Sequence, residues 1–222
     1  MVVVHHLENS RSQRVLWLLE ELGVPYEVKR YERDKVTMLA PPELKAVHPL
    51  GKSPVITDGG VVVAESGNIV EYLVETYGQG RMVPAAGTPE RLRYRYWLHY
   101  AEASVMPLMV MTLIFSKLAP GAPALLRPLV RAIVANVHRR FLDPQTKLHL
   151  DYLEGELGKS EWFAGKDISA ADVQMSFPIE AAASRAGLDR SRPRLAAFLQ
   201  RIQSRPAYKR ALEKGGPYAL LR

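Results

Sequence analysis

Residues 81–89, RMVPAAGTP, carry two prolines and a glycine and divide the chain into a part rich in strand signals and a part with none. Before this break, Val2, Val3 and Val4 form a short β-branched run that reads as a buried strand. Asn9, Ser10 and Ser12 then offer helix N-caps ahead of the apolar positions Val15, Leu18, Leu19 and Leu22. Gly23 and Pro25 close that helix. Tyr26 to Tyr31 alternates as a second strand, which the helical crossover makes parallel to the first. After a piece read as irregular, SPVITDGGVVV (53–63) places two β-branched runs around Asp58-Gly59-Gly60, a hairpin signal. Ser66 is positioned to cap another helix, with Ile69, Val70, Leu73, Val74 and Tyr77 on its apolar side and Gly78 at its end. One small mixed sheet with helices on its faces satisfies this order.

Beyond the break every signal is helical. Thr88-Pro89-Glu90 opens a long helix, with Thr88 as cap and Pro89 at the first helical position, running towards Phe115 with an expected kink near Pro107. A second helical zone runs from Gly121 to near Gly158, and shorter helices fit 170–186, 194–204 and 206–214. The fold class expected is therefore α/β followed by all-α.

Composition narrows the chemistry. The 222 residues include no cysteine, which excludes disulfides, thiolate metal sites and a protein-borne cysteine nucleophile. Any sulfur chemistry must use a ligand's sulfur. Residues 1–82 hold nine Lys and Arg against eleven Asp and Glu, so the rest of the chain carries +9 against an overall net charge of +7. The longest apolar run, Val105 to Phe115, is shorter than the roughly 20 residues of a membrane span. The sequence MVVVHHLENS lacks the regions of a signal peptide, and a cytoplasmic protein with no membrane partner is expected.

Four local patterns bear on function. Ser53-Pro54 opens a strand. Proline is tolerated there in trans, while a cis bond would turn the Ser53 backbone towards an extended ligand. Glu65-Ser66 precedes a helix: a helix N-terminus with a hydroxyl holds an anion, and Glu65 can accept from an ammonium group, a pairing suited to an α-amino acid head. A Ser cap beside a solvated Glu accounts for the same dipeptide. Asn9, Ser10 and Ser12 lie between strand and helix, where a donor can hold a thiolate or merely cap. Ile168 to Val173, ISAADV, reads as a capping box with Asp172 as a folding residue.

Other functions find no support. No G-x-S-x-G motif occurs, and the six histidines lack metal-ligand spacing; His5 and His6 point to opposite faces of a strand. Tyr94, Trp97 and Ala101 share one side of the first long helix, as core or as one wall of an apolar cleft. Arg91, Arg93 and Arg95 scatter around their helix, and the basic residues of Arg201 to Lys214 form the solvated face of an amphipathic helix, so no nucleic-acid partner is expected.

Taken in register, NSRSQRVLWLLEELGVPYE (9–27), HPLGKSPVI (48–56), ESGNIVEYL (65–73), ISAADV (168–173) and PRLAAFLQRIQSRPAYKRAL (193–212) resemble the cytosolic glutathione transferase family. The resemblance covers essentially the whole chain and is closest to the bacterial and fungal subgroup with S-R-x-x-R-x-x-W, here Ser10 to Trp17. It implies a thioredoxin-like glutathione-binding domain over 1–81, a linker over 82–89 and an all-helical domain over 90–222 that supplies the electrophile site and a homodimer interface. Pro54 would be the cis-proline, with the Ser53 backbone pairing to the cysteinyl part of glutathione. Glu65 and Ser66 would hold the γ-glutamyl head, and Lys52 the glycyl carboxylate.

The thiol-activating residue would be Ser10, through its hydroxyl, or Asn9, through its amide. Ungapped spacing from Gly23 places Asn9 at the serine position of serine-type members, and Ser10 is preferred narrowly. The family's tyrosine-type residue is missing, and its cysteine type is excluded. His48 departs from the asparagine that many members carry before the proline. The implied function is detoxifying transfer of glutathione to a hydrophobic electrophile, with glutathione as co-substrate and no metal. The alternatives are a glutathione-dependent peroxidase or disulfide-bond reductase, or a non-catalytic binding or regulatory protein.

Overall fold

In a computed structural model describing residues 1–186, 188 and 191–221, the β-branched runs assemble one four-stranded sheet ordered β2-β1-β3-β4. Strand β1 (Val2–Leu7) lies at its centre, parallel to β2 (Tyr26–Tyr31) and antiparallel to β3 (Val55–Asp58), which pairs with β4 (Val61–Ala64). The parallel pair is joined by α1 (Ser12–Leu22), whose C-cap Gly23 adopts φ +66°, the left-handed conformation that favours glycine. Gly59 and Gly60 turn the β3–β4 hairpin at φ +54° and +90°, as a tight two-residue connection requires.

Helix α1 shows how tertiary packing exceeds local pattern. Four apolar positions define its expected stripe, yet every residue from Ser12 to Leu19 is buried. It lies against β1, α3 (Ser66–Tyr77), α8 (Ala170–Arg185) and α10 (Pro206–Gly215), so little of its circumference meets water. The piece expected to be irregular contains a short helix, α2 (Pro42–Val47), whose single buried residue, Leu44, joins Leu7 and Tyr31 in a small satellite cluster. One apolar contact leaves no periodicity to read, which is why the helix escapes notice in the sequence.

The helical part begins at Thr88, whose Oγ1 accepts from Arg91 N–H at 3.2 Å to open α4 (Pro89–Tyr100). The bend expected at Pro107 is relieved one turn earlier: a π-helical turn over Ala101–Val105 precedes α5 (Met106–Gly121). Proline there removes one N–H and crowds the carbonyl four residues back, and widening the helix upstream accommodates both effects. The same device recurs between α6 (Arg127–Val137) and α7 (Asp143–Glu156), where a π-helical turn over His138–Leu142 precedes Pro144. By length and composition alone the run Pro89–Gly121 could cross a membrane; here Met106, Leu108 and Met109 are buried and the helix packs on α8. Helices α9 (Pro193–Ser204) and α10 close the bundle.

The core centres on α8, buried continuously from Ala170 to Ala182. Its N-terminus carries the expected capping box of Ser169 and Asp172. Deeper in, Glu180 is 1% exposed and accepts from the hydroxyls of Tyr208 and Tyr218, the latter at 2.7 Å. Burial raises its pKa to about 7, although the two tyrosines and the charge of Arg14 pull it down. The folded-state pKa thus exceeds the unfolded value near 4.5, and the folded chain keeps a proton that the unfolded chain releases. The resulting stabilisation is complete below the unfolded value and is lost as pH rises through about 7. Glu180→Gln keeps an acceptor without the charge. Relative to wild type it is expected to gain up to about 3 kcal/mol between about pH 5 and about pH 8. Urea titrations of both proteins at the two pH values check this; an unchanged difference would refute it.

Candidate functional site

The end of β1, the start of α1 and the start of β3 converge on a cluster of hydroxyls. Ser10 is 6% exposed, and its Oγ lies 2.7 Å from Ser12 Oγ and 3.3 Å from Ser53 Oγ. It also accepts from Ser12 N–H at 3.2 Å, so one otherwise orphaned donor of the helix start is satisfied. Ser53 Oγ donates to the His5 carbonyl at 3.1 Å and accepts from Leu7 N–H at 3.4 Å, which fixes it to the end of β1. The Ser53–Pro54 peptide bond is cis. Asn9 adopts φ +51°, a conformation that asparagine tolerates better than most residues, and its Oδ1 accepts from Ala219 N–H at 2.7 Å.

Two adjoining pockets flank this cluster. The larger, about 480 Å³, runs between the sheet side, with Asn9, Ser10, Lys52 and Ser53, and a helical wall of Met106, Val110, Leu113 and Phe177 that Arg185 also borders. The smaller, about 270 Å³, is lined by Lys52, Ser53, Pro54, Glu65 and Ser66 together with Arg11 and Glu102. Lys52 and Ser53 border both. The structure therefore brings all seven sequence-selected positions around one continuous groove. His48 borders the smaller pocket.

Glu65 sits at φ +70°, ψ 128°, a strained backbone position for a residue with a side chain, at the junction of β4 and α3. Ser66 is the first residue of α3, so the cap position falls on Glu65, whose side chain makes no capping bond. The expected Ser66 cap is thus not formed, and the Ser66 hydroxyl instead helps to hold the Glu102 carboxylate low. Similarly, the N-cap position of α1 is Arg11, whose side chain has no acceptor to offer, and Ser10 just before it takes the Ser12 N–H.

Sequence reasoning missed the electrostatic centre of the groove. Glu102, in the π-helical turn, meets Arg11 at 3.2 Å and pairs with the Nη2 of Arg14. Burial works against the Glu102 carboxylate, but Arg14, Arg11 and the Ser66 hydroxyl prevail and hold it below the usual range. Arg14 is 2% exposed; its Nη1 donates to the Gln174 carbonyl at 2.6 Å, and its guanidinium lies 5.4 Å from the Phe177 ring centroid. Gln174 precedes Pro178 by four residues, so its carbonyl has no helical N–H to accept from. Arg14 supplies that missing donor from another element. Both arginines lie in the S-R-x-x-R stretch, but nothing local in the sequence ties them to Glu102.

A four-stranded mixed sheet unit joined to a helical bundle is the architecture that the resemblance to glutathione transferases implies. Comparison with known proteins agrees. The family description "Glutathione S-transferase, N-terminal domain" matches residues 10–76, and "Glutathione S-transferase, C-terminal domain" matches residues 130–215. Glutathione S-transferase 3 of Schizosaccharomyces pombe is 39% identical over 214 residues, covering 96% of this chain and 88% of that protein. A crystal structure of a glutathione S-transferase from Actinobacillus pleuropneumoniae superposes with a TM-score of 0.80 at 33% identity, covering 100% of this chain and 96% of that one. A glutathione transferase family member from Pseudomonas fluorescens, solved with two glutathione bound, gives 0.75 at 26% identity, covering 96% and 92%. The chain belongs to the glutathione S-transferase family. Among the described residues, no group of three or more His, Asp or Glu is placed to hold a metal ion.

Proposed function

We propose that this chain is a glutathione transferase that binds glutathione along the two adjoining pockets and presents its sulfur as thiolate to a hydrophobic electrophile in the larger one. The observation that carries the reading is the meeting of Ser10, Ser53 and the cis Ser53–Pro54 bond at the groove, opposite the helical wall of Met106, Val110, Leu113 and Phe177. In this reading the Ser53 backbone pairs with the cysteinyl unit, Glu65 and Ser66 take the γ-glutamyl head, and Lys52 takes the glycyl carboxylate. Arg11 and Glu102 border the γ-glutamyl end and add one charge of each sign for an amino acid zwitterion.

Ser10 is the favoured thiol partner. Its Oγ lies 3.3 Å from Ser53 Oγ, beside the cis bond, whereas Asn9 is tied through its Oδ1 to Ala219 and keeps only its amide N–H groups to offer. A free thiol has a pKa near ~8.5, and a helix N-terminus with a directed donor lowers it. The test is titration of the ultraviolet thiolate signal of bound glutathione, with turnover of an aryl electrophile. Ser10→Ala is expected to raise the thiolate midpoint and reduce kcat/KM by about 100-fold, with a smaller effect for Asn9→Ala. An unchanged midpoint in Ser10→Ala removes Ser10 from the role, and absence of glutathione binding to wild type removes the enzyme reading.

The same reading sets the boundary between the glutathione-binding unit and the helical unit at residues 82–89 and makes the protein a homodimer. Exposed Leu92, Tyr96, Leu148 and Tyr152 along α4 and α7 support pairing through the long helices. The compartment it implies is the cytoplasm, where glutathione is kept reduced.

A further inference from the structure

Behind Ser10 lies a chain of hydrogen bonds that ends on a buried imidazole. Ser10 Oγ meets Ser12 Oγ at 2.7 Å, and Ser12 Oγ meets His6 Nδ1 at 2.8 Å. Ser12 is fully buried and His6 is 4% exposed. The far side of the ring faces the Gly215 backbone at the end of α10, where a Cβ on Gly215 would come within 3.4 Å of His6 Cε1. Burial, with Arg30 on β2 as the facing charge, lowers the His6 pKa to about 4 against the Gly215 bond. The ring is therefore neutral near pH 7 and carries one hydrogen for two nitrogens.

Oxygens 2.7 Å apart need a hydrogen between them, so the serine pair has only two directions. With the hydrogen on Nε2, towards the Gly215 backbone, Nδ1 is an acceptor. Ser12 donates to Nδ1, Ser10 donates to Ser12, and Ser10 shows the groove a lone pair. The Ser53 hydroxyl does not alter this, since its hydrogen goes to the His5 carbonyl. With the hydrogen on Nδ1 the order reverses: His6 donates to Ser12, Ser12 turns its hydrogen to Ser10 at 2.7 Å in preference to the Leu7 carbonyl at 3.4 Å, and Ser10 offers its hydrogen to the groove. The first arrangement suits a neutral thiol, which donates. The second suits a thiolate, which accepts.

We propose that His6 is a positioning residue whose tautomer, transmitted through Ser12, decides whether Ser10 faces glutathione as acceptor or as donor, and that thiolate formation is accompanied by transfer of the imidazole hydrogen from Nε2 to Nδ1. The proton balance closes. The thiol proton passes to Ser10 Oγ, the Ser10 hydrogen to Ser12 Oγ and the Ser12 hydrogen to Nδ1, while the Nε2 proton leaves to solvent. One S–H and one N–H bond break, one N–H bond forms, each serine exchanges one O–H for another, and one proton is released. This inference rests on Ser10 being the thiol partner.

The test uses the full chain labelled with ¹⁵N at histidine, with the His6 signal assigned by its loss in His6→Leu. Ring nitrogen shifts of the free protein at neutral pH are expected to show a bare Nδ1 and a protonated Nε2. Saturating glutathione above the thiolate midpoint is expected to reverse that pattern. A protonated Nδ1 in the free protein, or no reversal on thiolate formation, overturns the proposal. His6→Leu supplies a second readout. Without the Nδ1 acceptor, Ser12 is free to donate to Ser10, and the thiolate midpoint is expected to fall by about one pH unit. A merely structural role would leave it unchanged or raise it. Ser12→Ala breaks the transmission, so adding His6→Leu to it should change nothing further. If Ser10→Ala leaves the midpoint unmoved, the Ser10 reading itself fails; if Ser10→Ala moves it while the His6 tautomer stays fixed, only this inference fails.

Discussion

Arg14→Met is expected to lower the unfolding free energy by about 3–5 kcal/mol, the cost typical of breaking a buried ion pair from one side. Two acceptors lose their donor at once. Glu102 keeps Arg11 at 3.2 Å but loses its contact with the buried guanidinium, and the Gln174 carbonyl, already without a helical partner because of Pro178, becomes an orphan inside the protein. Methionine fills much of the volume and packs on Phe177, so the loss reports the polar contacts rather than a cavity. For a chain of this length the change corresponds to a melting temperature lower by about 10 °C. Urea denaturation followed by far-ultraviolet circular dichroism measures it. Arg14→Lys should recover only part of the loss, because one ammonium group cannot reproduce the planar fork that serves both acceptors. A loss below about 1 kcal/mol in Arg14→Met would show that the two arms contribute little net stability.

The second large effect belongs to Asp172. Its Oδ1 accepts from Phe163 N–H at 2.8 Å, and its Oδ2 accepts from Ser169 N–H at 2.8 Å and Ser169 Oγ–H at 3.0 Å. The side chain, itself fully buried, thus ties the loop before α8 to the first turn of that helix. Burial raises its pKa to about 6, and the three donors oppose that rise. Asp172→Ala removes a cap and leaves two buried backbone N–H groups unpaired, for an expected loss of about 2–4 kcal/mol. Asp172→Asn retains an acceptor and should lose about half as much. Hydrogen exchange at Phe163 and Ser169 locates the effect. Protection unchanged in the alanine variant would mean that water or another group satisfies these amides.

Where one local signal determined the outcome, the sequence was readable. Thr88-Pro89 opens α4, Asp58-Gly59-Gly60 turns the hairpin, and ISAADV builds the capping box. The seven residues taken from the resemblance all border the groove, because each lies at an end of a strand or helix that a small mixed sheet must bring together. What could not be read depends on distance in the sequence. Glu102 sits 88 positions from Arg14, and the link between them follows from the packing of α1 on the helical unit. Serines 10 and 12 look like simple caps in isolation; only the folded chain shows their hydroxyls turned towards each other and towards His6. Leu44, the lone apolar anchor of α2, carries too little pattern to announce a helix.

Proteins are made from one end, and here residues 215–219 reach back to side chains made well before them. The Gly215 backbone meets His6, Tyr218 bonds to Glu180 and Ala219 N–H bonds to Asn9. During synthesis the sheet and its first helices can form while these partners are still inside the ribosome. Until they emerge, the imidazole of His6 has no backbone partner to orient it and Asn9 no tether. A nascent chain therefore acquires its architecture well before its chemistry, and the emergence of residues 215–219 is the step at which the hydroxyl cluster gains its polarity.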